Sequence, residues 1–214
     1  MLKQKLDWLY PSKWKGLWYF IWEDNSLLSW VVNVLLAFII INFLLYPLLG
    51  FMFSTTHPIV AVVSGSMEHD GNFDSWWAST ALCNNKYCSQ AEYYSLYGIS
   101  KEEFSQFPFK NGFNKGDIMF LVGRDAENIE VGDVIVFNNR RKDPIIHRVV
   151  KKMQEGNEIY FQTKGDNNQN SIKNRGLDET HIIEDIIIGK AAFRVPVLGY
   201  IKIWFMELLK LIGF

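Results

Sequence analysis

From Leu27 to Phe53 the chain carries no charged side chain. A helix needs about 20 apolar residues to cross the hydrocarbon core of a bilayer, so this run is long enough to span with some tilt. A buried helix of a soluble domain would show a polar face at the 3.6-residue period. This stretch offers only isolated polar residues such as Asn33 and Asn42. It is also too long, and starts too far along, for the apolar core of a cleaved signal peptide. Pro47 and Gly50 fall late in the run and are expected to kink or end the helix. One transmembrane helix over residues 27–53 therefore frames everything else.

The flanks orient it. Lys3, Lys5, Lys13 and Lys15 precede the run, with Asp7, Glu23 and Asp24 among them. Positive residues favour the cytoplasmic side and acidic ones count little. The expectation is a single-pass protein of the cell membrane, N-terminus cytoplasmic, with the chain beyond about residue 54 on the outer face. Trp8, Trp14, Trp18, Tyr19 and Trp22 suit an interfacial segment over residues 1–26. Lys plus Arg total 22 and Asp plus Glu total 23, with no basic stripe, so nucleic acid is not an expected partner. Cys83 and Cys88 are the only cysteines. On an oxidising side a disulfide is permitted, and two free thiols remain an alternative. Without a nearby paired His they make a poor zinc set, so no metal is expected.

Beyond the span, Ile59 to Val63 is a short β-branched run. Residues 70–112 then turn aromatic, with Trp76, Trp77, Tyr93, Tyr94, Phe104 and Phe107 among few aliphatics. Ser100 followed by Glu103 is a capping-box pattern, so this stretch reads as a mostly helical insert. From Gly116 the pattern becomes β: 117–122, 134–138, 145–150, 159–163 and 186–193 are short strand candidates separated by turn residues such as Val131-Gly132-Asp133 and Lys142-Asp143-Pro144. The predicted fold class is mainly β, a small antiparallel barrel or coiled sheet over residues 54–200 that carries the insert at 70–112. Residues 201–214 are too short and too charged to span and read as an amphipathic C-terminal helix in the interface.

Chemistry is expected near Val63-Ser64-Gly65-Ser66-Met67-Glu68, a Gly-kinked serine run shortly past the span. Serine is a weak nucleophile until a base within hydrogen-bond reach takes its proton. Of the four histidines, His57, His69 and His181 read as solvated. His147 sits inside the strand-like Ile145-Ile146-His147-Arg148-Val149-Val150, where a strand would aim its ring. On that segment alone a structural His on a half-buried strand is the favoured reading. Asp166, in Gly165-Asp166-Asn167-Asn168, reads on composition as a turn carboxylate; it follows the His strand and is a candidate to return toward it as an orienting group.

Ser64-Gly65-Ser66-Met67-Glu68, Gly132-Asp133-Val134-Ile135-Val136-Phe137, His147-Arg148-Val149-Val150 and Thr163-Lys164-Gly165-Asp166-Asn167-Asn168 occur in an order that resembles the type I signal peptidases. Gly189-Lys190 and Pro196-Val197-Leu198-Gly199-Tyr200 are similar to that family's closing segment. His147 stands where bacterial members carry a lysine base, so the chain resembles the archaeal and endoplasmic-reticulum branch. The resemblance covers residues 30–70 and 115–200 and leaves out the insert. It implies Ser66 as nucleophile, His147 as general base and Asp166 as the group supporting the imidazole. The Ser66 backbone N–H and the Ser64 hydroxyl would form the oxyanion hole. The chain departs from the family at His69, where Pro is usual, and at Asn174, where a second Asp normally precedes the Arg-Gly-Leu. Asn174 itself or Asp178 are therefore alternates for the third catalytic member.

The implied function is a membrane-anchored serine endopeptidase that removes signal peptides from exported precursors by acyl transfer, without metal or organic cofactor. Its expected partners are signal-peptide-bearing precursors, the lipid bilayer and the protein-export machinery. Two other readings stay open: a serine hydrolase related to self-cleaving repressors, which are cytosolic with a Lys base, and a non-catalytic membrane-anchored scaffold on the same fold. The insert is open between a rim over the cleft or membrane and a self-contained decoration.

Overall fold

The computed structural model describes residues 12–139, 144–156, 158–174 and 176–211. The expectations for Lys3, Lys5, Asp7, Trp8, Lys142, Asp143, Asn157, Arg175 and residues 212–214 lie outside the described residues. The chain divides into two units at residues 51 and 52, taken here in turn.

The first unit is helical. Helix α1 (Ser12–Trp22) is followed by α2 (Leu27–Ile40), whose N-cap Ser26 accepts from the Ser29 N–H. The polar residues at the start of α2 are committed: Ser29 Oγ donates to the Phe20 carbonyl at 2.5 Å and Asn33 Nδ2 to the Ile21 carbonyl at 2.8 Å. These carbonyls close α1 and would otherwise lack intrahelical partners. Helix α2 passes through a π-helical turn (Ile41–Leu45) into α3 (Tyr46–Phe53). The helix thus runs on past Pro47 and Gly50 to Phe53 rather than ending at either. The π turn just upstream, where the Tyr46 N–H bonds the Ile41 carbonyl, is a local adjustment of the kind that absorbs proline in a helix. The apolar helix is continuous from Leu27 to Phe53.

The second unit is built on one antiparallel seven-stranded sheet, curled into a half-barrel. Its strands are β1 (Ile59–Ala61), β4 (Ile118–Val122), β5 (Val134–Phe137), β6 (Ile145–Glu155), β7 (Glu158–Lys164), β10 (Ile182–Ile183) and β11 (Ile187–Val195), in spatial order β1-β4-β11-β5-β6-β7-β10. A small ladder pairs β8 (Lys173–Asn174) with β9 (Leu177–Asp178). Strand β6 runs five residues further than its β-branched core suggested, because it pairs with β7 as far as Glu155↔Glu158. The sheet buries both faces. Along β5, Val134 and Val136 join Val62, Met67, Met119 and Leu121, while Ile135 and Phe137 join Ile129, Val149, Phe161 and Ile182. Such two-sided burial explains why β5 reads as a continuous apolar run rather than an alternation.

The insert is mixed rather than mostly helical: α4 (Phe73–Trp77), a hairpin of β2 (Thr80–Cys83) and β3 (Lys86–Ser89), α5 (Gln90–Ser95) and α6 (Lys101–Phe104). Cys83 and Cys88 are bonded as a disulfide across that hairpin. The reciprocal capping box forms at Ser89–Glu92, while Ser100 caps α6 through the Glu103 N–H. Trp76, Trp77, Tyr93, Tyr94, Ile99 and Phe104 pack together with Val150 of β6, a core of the insert's own against the sheet. Helix α7 (Tyr200–Leu211) closes the chain, with Ile203 buried and Ile201, Trp204, Phe205 and Leu208 exposed.

The central strand should dominate stability. Phe137→Ala removes a fully buried ring from β5 and is expected to cost about 3–5 kcal/mol, read as a lower denaturant midpoint with unchanged slope.

Candidate active site

Strand β6 fixes the site. Successive side chains of a strand point to opposite faces, and the sequence places His147 and Arg148 side by side in β6. His147 shares a face with Val149 and with Thr163, which pairs with Val149 across β7. Arg148 shares the other face with Lys164, its partner in the same ladder.

On the first face, the Ser66 Oγ lies 2.9 Å from His147 Nε2. Behind the ring, His147 Nδ1 meets Glu179 Oε1 in a short hydrogen bond. Glu179 is fully buried and fully committed: Oε1 also accepts from Thr163 Oγ1 at 3.0 Å, and Oε2 accepts from the Ile172 N–H at 2.7 Å. A carboxylate at Nδ1 places the ring proton there and leaves the Nε2 lone pair facing the serine hydroxyl, the arrangement a general base needs. Ser64 Oγ stands 3.2 Å from Ser66 Oγ. The Ser66 N–H donates to no acceptor among the described residues, which leaves it free for an incoming oxyanion. Gly165 closes the site from the side. A Cβ there would lie 2.8 Å from both His147 Nε2 and the Ser66 carbonyl oxygen.

Asp166 does not support the imidazole. It lies on the opposite face, where it makes a bidentate pair with Arg148, Nε to Oδ1 at 2.9 Å and NH2 to Oδ2 at 2.7 Å. It also accepts from Tyr94 OH at 3.1 Å and meets His69 Nε2 at 3.0 Å. Burial opposes ionisation of this carboxyl, but the Arg148 guanidinium and the His69 contact outweigh it and hold its pKa well below the usual carboxylate range. The loop passes beside both residues, Gly165 against the His147 ring, but the Asp166 side chain is turned to the Arg148 face. Neither alternate fills the place. Asn174 is exposed, its Oδ1 accepting the Gly176 and Leu177 N–H groups in a turn. Asp178 Oδ1 accepts from the Thr180 N–H at 2.9 Å, and the carboxylate pairs with Lys173. It is one residue short of Glu179 and points the other way. The sequence signal that would have found Glu179 is its place just past Arg175-Gly176-Leu177, in Leu177-Asp178-Glu179-Thr180. His69 is not solvated as expected; its side chain is 2% exposed and stacks on Trp76 with centroids 3.7 Å apart.

A cleft of about 370 Å³ opens onto Ser66 and His147, lined by Ala61, Val63, Ser64, Ile145, Ile146 and Ile172 among others. A larger recess of about 600 Å³ beside Asn138, Asp178 and His181 contains neither group.

No family model matches the chain. It is 39% identical over 98 residues to the signal peptidase complex catalytic subunit SEC11 of Colletotrichum graminicola, a match covering 44% of this chain and 57% of the relative. It is 38% identical over 100 residues to the same subunit of Sclerotinia sclerotiorum and 35% identical over 98 residues to that of Neurospora crassa, with the same coverage. The chain thus spans a little over half the length of the curated relatives it matches.

The Arg148–Asp166 pair makes the second face acid-sensitive. Because the Asp166 carboxyl is held low in the folded state, its contribution is fully present above the carboxylate range of the unfolded chain and is lost progressively as pH falls below that range toward the depressed folded value. Asp166→Asn leaves Arg148 buried without its counter-charge, at a cost of about 3–5 kcal/mol at neutral pH. Chemical denaturation from pH 7 to pH 2 should show a shallower fall in stability for the variant than for the parent. Over the matched stretch the chain is similar to fungal signal peptidase complex catalytic subunits.

Proposed function

We propose that this chain is a serine endopeptidase that cleaves signal peptides from membrane-inserted precursors. The observation that carries the reading is the line Ser66 Oγ–His147 Nε2–Nδ1–Glu179 at the edge of an apolar cleft. His147 takes the Ser66 proton as Oγ attacks the scissile carbonyl. The resulting negative oxygen is met by the Ser66 N–H and the Ser64 hydroxyl. His147, now charged against the Glu179 carboxylate, returns the proton to the leaving amine, and a water repeats the sequence to free the acyl group. Glu179 takes the supporting role assigned to Asp166 from sequence. An intact nucleophile and base also disfavour the scaffold reading.

The substrate fits this chemistry. A signal peptide carries an apolar segment that lies in the bilayer, followed by small residues before the cut. The Leu27–Phe53 helix would anchor the enzyme beside that segment, and an extended substrate would add to the edge strand β1 and its continuation at Val63, placing alternate side chains in the shallow cleft. The cytoplasmic N-terminus and outer-face catalytic unit follow from the lysines before the span, and the Cys83–Cys88 bond suits an oxidising compartment. The relatives are named as catalytic subunits of a complex, so accessory subunits and the export machinery are the proposed partners, in the cell membrane or the endoplasmic-reticulum membrane.

In liposomes with a model precursor, Ser66→Ala and His147→Ala should each abolish processing while the protein still inserts. Glu179→Gln should retain the fold yet lower kcat by about 10²- to 10⁴-fold, the range for a base left without its orienting carboxylate. Normal turnover in any of the three variants would remove the role assigned to that residue.

A further inference from the structure

The insert packs its own aromatic core against Val150 of β6. It sits behind the site, on the Arg148 face of β6, and grips two irregular segments that meet there: the nucleophile turn from Gly65 to His69, and the loop from Gly165 to Ser171. These segments touch at several points. The Asn167 N–H donates to the Ser66 carbonyl at 2.8 Å and Asn167 Nδ2 to the Gly65 carbonyl at 3.2 Å. The Asp166 N–H contacts Met67 Sδ at 3.3 Å, and His69 Nε2 meets Asp166 Oδ2. Neither segment belongs to the sheet ladders, so the sheet alone does not fix their conformation.

The insert supplies the missing restraints. Trp76 spans both segments: its ring stacks on His69 and its Nε1–H donates to the Asp166 carbonyl at 3.2 Å. Tyr94 OH donates to Asp166 Oδ1 at 3.1 Å. Burial, with the Asp166 carboxylate beside it, pushes the Tyr94 phenol well above its ordinary range, so the group remains a donor. Further along, the Leu82 N–H donates to the Gln169 carbonyl at 2.9 Å, and Gln90 Oε1 accepts from Lys164 Nζ at 2.8 Å. Tyr94 is absent from the cleft lining.

We propose that the 70–112 insert is a positioning element for the nucleophile, in which Tyr94 and Trp76, acting through Asp166 and His69, hold the Ser66 turn against His147. The inference rests on the peptidase reading and adds a source for the precision that reading needs. A misplacement of about 1 Å at a reacting group costs about 10²-fold in rate. Irregular backbone loses substantial conformational freedom when it is fixed, and the aromatic core of the insert offsets that loss from the face the substrate does not use. Tyr94 and Trp76 are thus positioning residues.

The test uses the full chain in liposomes, with functional sites counted by a serine-reactive probe on Ser66. Tyr94→Phe keeps the ring packing and removes only the phenol donor. It is expected to lower kcat per labelled site about tenfold, the scale of a lost hydrogen bond to a charged group, with KM unchanged. Tyr87→Phe, on the exposed side of the same insert, should turn over at the parent rate. Trp76→Phe, which removes the indole donor, should likewise lower kcat per site. Parent-level kcat per labelled site in both Tyr94→Phe and Trp76→Phe overturns the proposal. So does a loss explained entirely by fewer labelled sites, or failure of both variants to fold, because each assigns these side chains to the fold alone. A parent protein that neither labels at Ser66 nor processes precursor would defeat the peptidase reading instead.

Discussion

Two neighbouring residues of one strand, His147 and Arg148, organise the β unit by pointing opposite ways. Each is a nitrogen base buried in β6, and each has drawn a buried carboxylate to its own side: Glu179 to the imidazole, Asp166 to the guanidinium. Burying any of these charges alone would be costly, and pairing with further hydrogen bonds is what makes the burial tolerable. Thr163 and the Ile172 N–H complete Glu179, and Tyr94 with His69 completes Asp166. The sheet is thus a partition between a reactive face open to the cleft and a structural face sealed by the insert.

The division also assigns different work to two similar groups. Glu179 sits where it can stabilise a transient imidazolium and otherwise only holds the ring. Asp166 faces a guanidinium that stays protonated, so its charge is static and its value lies in anchoring the Gly165 loop. Arg148 extends that anchor by donating to the carbonyls of Pro108, Phe109 and Gly132. One side chain therefore ties together the end of the insert, the turn before β5 and the loop beside the nucleophile.

Much of this was legible in the sequence. The charge-free run marked the apolar helix, β-branched clusters between turn residues marked the strands, and the serine run with a strand-borne His marked the pair now seen at hydrogen-bond distance. Parity was the part that could not be read. Asp166 and Glu179 both lie downstream of the His strand, and choosing between them requires knowing which face each loop returns to. Proximity in the chain favoured Asp166, and the familiar position of the acid at Asn174 drew attention away from a residue five places on. The role of the insert is not legible in the sequence for a related reason. Its aromatics signal burial, but only the fold shows that the surface they cover is the back of the active-site loops. Likewise the β2–β3 hairpin was missed because its strands are short and carry few β-branched residues.

The π turn at Ile41–Leu45 has a geometric consequence for the apolar helix. Each residue of an α-helix advances the side chain by about 100° around the axis, so accommodating one extra residue in a turn rotates everything beyond it by about that amount. Residues from Tyr46 onward are therefore turned by that amount from where an uninterrupted α-helix begun at Leu27 would place them. A helical wheel drawn with one period over the whole segment misplaces every residue beyond Leu45, and the apolar rod presents a differently set face on either side of the π turn.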